Sequence, residues 1–353
     1  MPAPYSARTL VARGVALPAQ VDRLNDLLAA ADLGRPLGPP RVVAGVQTVV
    51  PVTGADPARL LAVLREAGAR GEEVVELRPE RPYVEGIYAF RSAKWPAGEL
   101  APTPVAEASV LDTAVAMPAW QRPPAGRRRP VVALLDTGVA EHPALAGADP
   151  QDPILLPGWA PPGLSPAPGP DPADPSRPAG HGTFVAGLIH ATAPTAQLLS
   201  LRVTDAAGVI QESCIIEALS RLVRRHDTGE RVDVVCMAFA RPVDGTDDYP
   251  DLVAEQLRKL AHRGVLLVAA AGNGGSSDPV YPAGFAQHFP VDSVGSGACE
   301  ADRAAYSNFG DWVRKWRDGT DAVSILPGGR YAKWSGSSFA AAVYVGEQAR
   351  LAG

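Results

Sequence analysis

Apolar residues follow two different periods along this chain, and the alternation between them predicts where strands and helices lie. Short continuous apolar runs predict buried strands at 131–135, 197–203, 233–239 and 265–271. Apolar residues at helical spacing predict helices at 181–191, 212–226 and 252–263. Apolar strands that alternate with amphipathic helices are typical of a mostly parallel sheet covered by helices on both faces.

The first hundred residues have a different pattern, which predicts a small α+β unit. Helical spacing covers 19–31 and resumes after Asp56-Pro57, where the Asp suits a helix N-cap and the Pro suits the first turn. The strand-like segments of this region are 41–52, 73–77 and 84–90. We therefore expect three parts, which are a small accessory or propeptide-like α+β domain at 1–100, a Pro/Ala-rich linker at 101–128 and a large α/β domain at 129–353.

A Pro-rich insert at 147–180 interrupts the large domain, with 11 prolines in 34 positions. Such a segment predicts a long surface loop without regular structure. It is either a passive insertion or a flap near a substrate cleft.

Composition narrows the choice of partners. The net charge of −5 is small and spread along the chain, so neither a nucleic acid nor an anionic membrane is expected as a partner. No window approaches the roughly 18 apolar residues of a membrane span. No basic stretch followed by an apolar one opens the sequence. The expectation is a soluble, cytoplasmic protein.

The three cysteines, Cys214, Cys236 and Cys299, are widely spaced and odd in number. They suggest neither a disulfide framework nor a zinc site, and Cys236 is expected to be a small buried apolar side chain. No acidic loop with calcium-binding spacing is visible. We expect no cofactor and no metal.

Four short motifs supply, in chain order, an acid, a base, an oxyanion donor and a nucleophile. They are Leu135-Asp136-Thr137-Gly138, His181-Gly182-Thr183, Ala270-Ala271-Gly272-Asn273 and Gly336-Ser337-Ser338-Phe339-Ala340. Asp136 ends a buried strand, where α/β proteins place their sites. His181 and Ser338 each begin a helix, and the helix start offers Ser338 free N–H groups and a partial positive charge.

Each motif alone has a plain structural reading. Asp136 suits the first position of a turn, Ser337 or Ser338 suits an N-cap, and Asn273 suits a Gly-rich turn. The other five histidines have no such context and are expected to be surface or packing residues. The four motifs together favour the catalytic interpretation.

This order resembles the subtilisin-like serine proteases, over roughly residues 115–353. The segments Val280-Tyr281-Pro282-Ala283 and Tyr306-Ser307-Asn308-Phe309-Gly310 also resemble that family. The resemblance implies a subtilisin-like three-layer α/β domain with a mostly parallel central sheet, preceded by the small α+β N-terminal domain. It implies that Asp136 orients His181, that His181 is the general base for Ser338, and that the Asn273 amide is an oxyanion donor.

The segment 233–240 resembles the strand of that family that binds the substrate backbone. Met237, Ala238, Phe239 and Ala240, with Ala271 and Gly272, are therefore expected to bind substrate. The family usually has Asn, Ser and Gly where this chain has Cys236, Ala238 and Ala240. Because Ala240 adds a Cβ to the pocket wall, we expect a narrowed or reshaped specificity pocket.

The leading hypothesis is a serine endopeptidase that acts on a peptide or protein substrate, with limited processing inside the cell as its duty. One alternative is a non-catalytic peptide-binding module, favoured by Ala238, Ala240 and Ala342. Another is a ligase or cyclase that passes the acyl group to an amine. The N-terminal unit is either a retained accessory or inhibitory domain or a cleaved propeptide.

Overall fold

The computed structural model describes residues 9–80, 82–85, 88–89, 103–104, 108–147, 153–161, 180–204, 208–242 and 251–353. The helices in these ranges are α1 (Pro18–Ala30), α2 (Pro57–Ala69), α3 (His181–Thr192), α4 (Glu212–Asp227), α5 (Leu252–Ala261) and α6 (Ser337–Ala352). The strands are β1 (Thr9–Arg13), β2 (Arg41–Val43), β3 (Gln47–Pro51), β4 (Arg78–Pro79), β5 (Pro82–Glu85), β6 (Tyr88–Ala89), β7 (Thr103–Pro104), β8 (Ser109–Leu111), β9 (Val131–Asp136), β10 (Leu155–Trp159), β11 (Gln197–Arg202), β12 (Val209–Gln211), β13 (Val234–Met237), β14 (Phe239–Pro242), β15 (Leu266–Ala270), β16 (Val280–Tyr281), β17 (Asp292–Ser296), β18 (Lys315–Arg317), β19 (Ala322–Leu326) and β20 (Arg330–Trp334).

A seven-stranded parallel sheet in the order β10-β11-β9-β13-β15-β17-β18 forms the middle layer of the large domain. Helices α4 and α5 pack on one face of this sheet, where Ile215 and Leu257 lie in the core. Helices α3 and α6 pack on the other face, through residues such as Phe184 and Val345. The expected three-layer α/β fold is confirmed, and the buried strands run apolar throughout because both faces are covered.

Residues 9–79 form a small α+β unit with a core of its own. Its antiparallel sheet has the order β2-β3-β1-β4. Helices α1 and α2 bury Leu24, Leu28, Leu60 and Leu64 against it. The expected N-terminal α+β fold is therefore present.

Two strand predictions in this unit were wrong in detail. The segment 41–52 is two strands, because Ala44 and Gly45 both have positive φ, at 52° and 70°, and turn the chain back on itself. The segment 73–77 is not a strand, since Val74 and Val75 contribute side-chain packing to the core without entering the ladder. The ladder position beside β1 is taken instead by β4.

The prediction that 147–180 has no regular structure was also wrong for one part of the insert. β10 is an edge strand of the parallel sheet, with Leu155 and Leu156 opposite Leu198 and Leu199. Its register shifts between Leu156 and Trp159, around Pro157 and Gly158, and an edge strand tolerates a proline at such an irregularity. Residues 148–152 and 162–179 of the insert lie outside the described part of the chain.

Two smaller sheets connect the N-terminal half of the chain to the large domain. One has the order β12-β5-β14-β16, all antiparallel, with β5 between two strands of the large domain. The other has the order β19-β20-β8, so that part of the expected linker pairs with the large domain. Local sequence pattern predicted neither pairing.

Candidate active site

Asp136 ends β9 at the edge of the sheet where the carboxyl ends of the parallel strands meet. Its side chain is buried, and its Oδ1 accepts the backbone N–H of Thr137 at 2.8 Å. The strand is buried throughout because its neighbours β11 and β13 cover both of its edges. A carboxylate at this position is held rigidly by the sheet.

His181 is the first residue of α3 and is fully buried beside Asp136. Its Nδ1 lies 2.9 Å and 3.0 Å from the two carboxylate oxygens of Asp136. Because a carboxylate only accepts, Nδ1 carries a proton, so Nε2 is the ring nitrogen that can accept one from a nucleophile. Nε2 is buried and has no hydrogen-bond partner among the described residues.

Gly182 makes the close approach of α3 to β9 possible. A Cβ at this position would lie 2.4 Å from the carbonyl oxygen of Gly138 and 3.0 Å from Oδ1 of Asp136. The Gly182 N–H donates to the Thr137 hydroxyl at 2.9 Å. The Thr137 side chain therefore ties the start of α3 to the end of β9, a role that sequence reasoning missed.

Ser338 lies in the first turn of α6 and is buried at the bottom of the site. Its hydroxyl donates to the carbonyl oxygen of Ala238 at 3.3 Å. The next residue, Phe339, has its ring centre 5.7 Å from that of His181. In this resting geometry the candidate nucleophile is bonded to the substrate-strand segment, and it makes no hydrogen bond to His181 Nε2.

Asn273 follows β15 and presents its amide N–H₂ group to the site. Its Oδ1 accepts the Ser337 N–H at 2.8 Å, which fixes the orientation of the amide, since only the oxygen accepts. Its Nδ2 is buried and has no partner among the described residues. An unused amide donor beside the start of α6 suits the stabilisation of an oxyanion.

Two further residues that sequence reasoning did not assign hold Asn273 in place. The Ser337 hydroxyl accepts the Gly272 N–H at 3.0 Å. Asn308 donates to the carbonyl oxygen of Ala271 at 2.9 Å and accepts the N–H of Gly274, also at 2.9 Å. The motifs around Ser337 and Asn308 were visible in the sequence, but no one-dimensional pattern shows which backbone groups a side chain will reach.

The six residues expected to bind substrate are buried at the same edge of the sheet as Asp136 and Ser338. They are Met237, Ala238, Phe239, Ala240, Ala271 and Gly272. β14 lines this edge and pairs with β5, with Ala240 opposite Val84 and Phe239 opposite Glu85. The backbone edge expected to bind a substrate strand therefore already carries a strand of this chain.

Other buried titratable groups near the site have structural partners. His142 Nε2 lies 3.2 Å from the Arg330 carbonyl, and His190 Nε2 lies 3.0 Å from that of Pro118. Burial lowers the pKa of both rings. Burial also raises the pKa of the Cys236 thiol, and the nearby Asp136 charge adds to the effect, so Cys236 is an uncharged core residue, as expected.

A parallel α/β sheet with an Asp–His pair, a helix-initial serine and an unused amide donor at one edge is the arrangement on which serine hydrolases with a catalytic triad are built. Comparison with known proteins agrees. The subtilase family model matches residues 127–351. The chain belongs to the subtilase family.

Individual relatives align with part of the chain. An intracellular serine protease of Paenibacillus polymyxa is 33% identical over 175 residues, which is 46% of this chain and 50% of the relative. Subtilisin NAT of Bacillus subtilis subsp. natto is 31% identical over 170 residues, 45% of this chain and 42% of the relative. Subtilisin Savinase of Lederbergia lenta is 31% identical over 222 residues, 59% of this chain and 71% of the relative. In the first two, the chain spans half or less of the relative's length.

No helix in the described ranges is long and apolar enough to cross a membrane.

Proposed function

We propose that this protein is a serine endopeptidase in which Ser338 is the nucleophile, His181 the general base and Asp136 the residue that orients His181. The observation that carries the proposal is the buried His181 ring, whose Nδ1 is held by Asp136 while Nε2 has no partner among the described residues. Burying a polar nitrogen without a partner costs free energy. A proton-accepting role toward Ser338 accounts for that cost.

The reaction follows from the positions of these groups. The Ser338 hydroxyl leaves the Ala238 carbonyl, gives its proton to His181 Nε2 and attacks the peptide carbonyl carbon. The oxyanion accepts hydrogen bonds from Asn273 Nδ2 and from the Ser338 N–H, which has no intrahelical partner in the first turn of α6. The proton on His181 passes to the leaving amine, and water then hydrolyses the ester on Ser338.

We propose further that residues 1–100 inhibit the site within the same chain. β5 fills the slot between β12 and β14, where a bound peptide would add as a strand. The N-terminal unit is held there by a buried ion pair between Arg78 and Glu212, and by Glu80, which accepts the Ser213 N–H at 2.8 Å. Substrate must displace β5 to reach Ser338.

The proposed duty is limited processing of an intracellular peptide or protein. Two observations support it. First, β5 covers the slot, which suits a protease that cuts only after the N-terminal unit has left the site. Second, one relative is named an intracellular serine protease.

Labelling of the full chain with a fluorophosphonate, followed by mass mapping, tests the catalytic assignment. We expect a single adduct on Ser338 that is lost in Ser338→Ala and retained in the neighbouring control Ser335→Ala. The same labelling is repeated with Val84→Pro, since β5 has a neighbour on both sides and a proline there removes a ladder N–H. No adduct in either background would refute the proposal.

A further inference from the structure

The register of β5 shows where the residue that acylates Ser338 must bind. Along β14, Ala240 and Phe239 face Val84 and Glu85. A peptide in the same slot would place its next residue opposite Ala238, whose carbonyl oxygen is 3.3 Å from the Ser338 hydroxyl. We call this residue the acyl residue, because its carbonyl carbon lies where Ser338 attacks.

The side chain of the acyl residue must enter the gap between two walls. One wall is the segment from Ala238 to Ala240, and the other is Ala271 and Gly272, which lead to the oxyanion donor Asn273. We infer this direction because the acyl carbonyl would lie between Ser338, whose hydroxyl is bonded to Ala238, and Asn273, which directly follows Gly272. The size of this gap therefore sets which acyl residues fit.

In this chain the gap is closed at its base. β14 continues past Ala240 directly into a ladder with β16, with Arg241 opposite Tyr281 and Pro242 opposite Val280. Val280 is 3% exposed, and its Cγ2 lies 3.2 Å from the point where a Cβ on Gly272 would be. The side chains of Ala240, Ala271 and Val280 belong to one core cluster. The valine side chain thus lies against one wall at Gly272, and its strand pairs with β14, which carries the other wall.

Contacts of Arg241 with neighbouring elements hold β14 in this position. Arg241 is 2% exposed, and its Nη2 lies 3.1 Å from the carboxylate of Asp251, at the start of α5. Its guanidinium also lies 4.8 Å from the ring centre of Tyr281. Moving β14 away from β16 would break the ring contact, and moving it away from α5 would break the ion pair, so β14 does not shift freely to widen the gap for a large side chain.

We propose that Val280, with the Cβ of Ala240, restricts the acyl residue to glycine or alanine. This inference rests on the proposed function and adds a substrate class to it. Each methylene group by which a substrate side chain exceeds its pocket changes selectivity by about 10- to 200-fold, so leucine and phenylalanine as acyl residues should react at least about 100-fold more slowly than alanine.

Peptidyl phosphonates that share the sequence Tyr-Val-Glu and differ only in an acyl residue of glycine, alanine, leucine or phenylalanine provide the test. Each forms an adduct on Ser338 whose rate is followed by intact mass, in the full chain carrying Val84→Pro. Any remaining cost of displacing β5 is the same for all four probes and cancels in the ratios of their rates. A fluorophosphonate without a peptide serves as the reference.

We expect alanine to label at least about 100-fold faster than phenylalanine, and Val280→Gly to reduce this ratio at least tenfold. Val265→Gly is the matched control, because Val265 is a valine buried in the same core that precedes β15, away from Ala271 and Gly272, and it should leave the ratio unchanged. Equal rates for alanine and phenylalanine, an unchanged ratio in Val280→Gly, or no labelling by the alanine probe where the fluorophosphonate labels would overturn the inference. Failure of the fluorophosphonate itself would overturn the proposed function as well.

Discussion

The buried ion pair between Arg78 and Glu212 makes the proposed inhibition by the N-terminal unit testable by one substitution. Arg78 Nη2 lies 2.8 Å from Glu212 Oε2, and the two side chains are 9% and 0% exposed. Arg78→Ala leaves the carboxylate at the first residue of α4 buried without this partner while the unit is docked. Once the unit leaves, the same carboxylate reaches water. The substitution therefore destabilises the docked state of the N-terminal unit relative to the undocked state.

The size of the expected effect follows from the burial of the Arg78–Glu212 pair. Removing one partner of a buried ion pair costs about 3–5 kcal/mol. At about 1.4 kcal/mol for each factor of ten, the undocked fraction should rise by a few hundred- to a few thousand-fold. The pair between Arg13 and Glu255 crosses the same interface with side chains 59% and 31% exposed, and such a pair contributes at most about 1 kcal/mol. Arg13→Ala is therefore the matched control.

The assay is the rate at which the peptidyl alanine phosphonate labels Ser338 in the full chain, since this probe needs the slot that β5 fills. Arg78→Ala should label much faster than the wild type, and Arg13→Ala at most about fivefold faster. Adding Glu212→Gln to Arg78→Ala removes the buried charge that has lost Arg78 and should restore part of the inhibition. Wild-type labelling in Arg78→Ala, or the same rate in both single variants, would refute the inhibitory docking.

Three further predictions concern the site and the interface. Asn273→Asp keeps the acceptor for the Ser337 N–H but removes the oxyanion donor. The protein should still fold and still carry a fluorophosphonate adduct on Ser338, whereas kcat for a peptide should fall by about 100- to 1000-fold, the loss known for the corresponding donor in subtilisin. Gly182→Ala should lower the midpoint of thermal unfolding sharply, because its Cβ meets backbone at 2.4 Å, whereas Gly68→Ala, with nothing nearer than 4.0 Å, should not. Burial raises the pKa of Glu80 above its usual 4.5. The free energy of unfolding of the wild type, measured relative to Glu80→Gln, should therefore increase as the pH falls through the raised pKa toward 4.5. A difference that does not change with pH, or that changes in the opposite direction, would contradict this.

The sequence was sufficient where a functional residue is adjacent to a strand or helix end that its own neighbours specify. Asp136 follows a run of five apolar residues, and His181 begins a segment whose small and apolar residues pack as α3. Chain order then placed both at one edge of the sheet, because parallel strands share their carboxyl ends. The bounds of α4 and α5 were predicted to within two residues for the same local reason.

The sequence was insufficient where a strand's identity depends on its partner. β5 has an ordinary strand pattern, and nothing within it indicates that it pairs with β12 and β14 rather than with β1 or β3. The ladder that joins β14 to β16 contains only two residue pairs, so no periodicity reveals it. Such pairings are settled by the three-dimensional arrangement of segments far apart in the sequence, about 40 residues for β14 and β16 and more than a hundred for β5 and its two partners.

Under the proposed mechanism, catalysis and specificity therefore depend on different parts of the same edge. The catalytic groups are fixed by contacts between the ends of β9 and β15 and the starts of α3 and α6, chiefly through Asp136, Ser337 and Asn308. Specificity and inhibition both depend on the antiparallel sheet β12-β5-β14-β16, which is built beside that edge. A substitution in β16 should thus change which peptides react without moving the triad. A substitution at the contacts of β5 should change how much enzyme is open without changing which peptides it prefers.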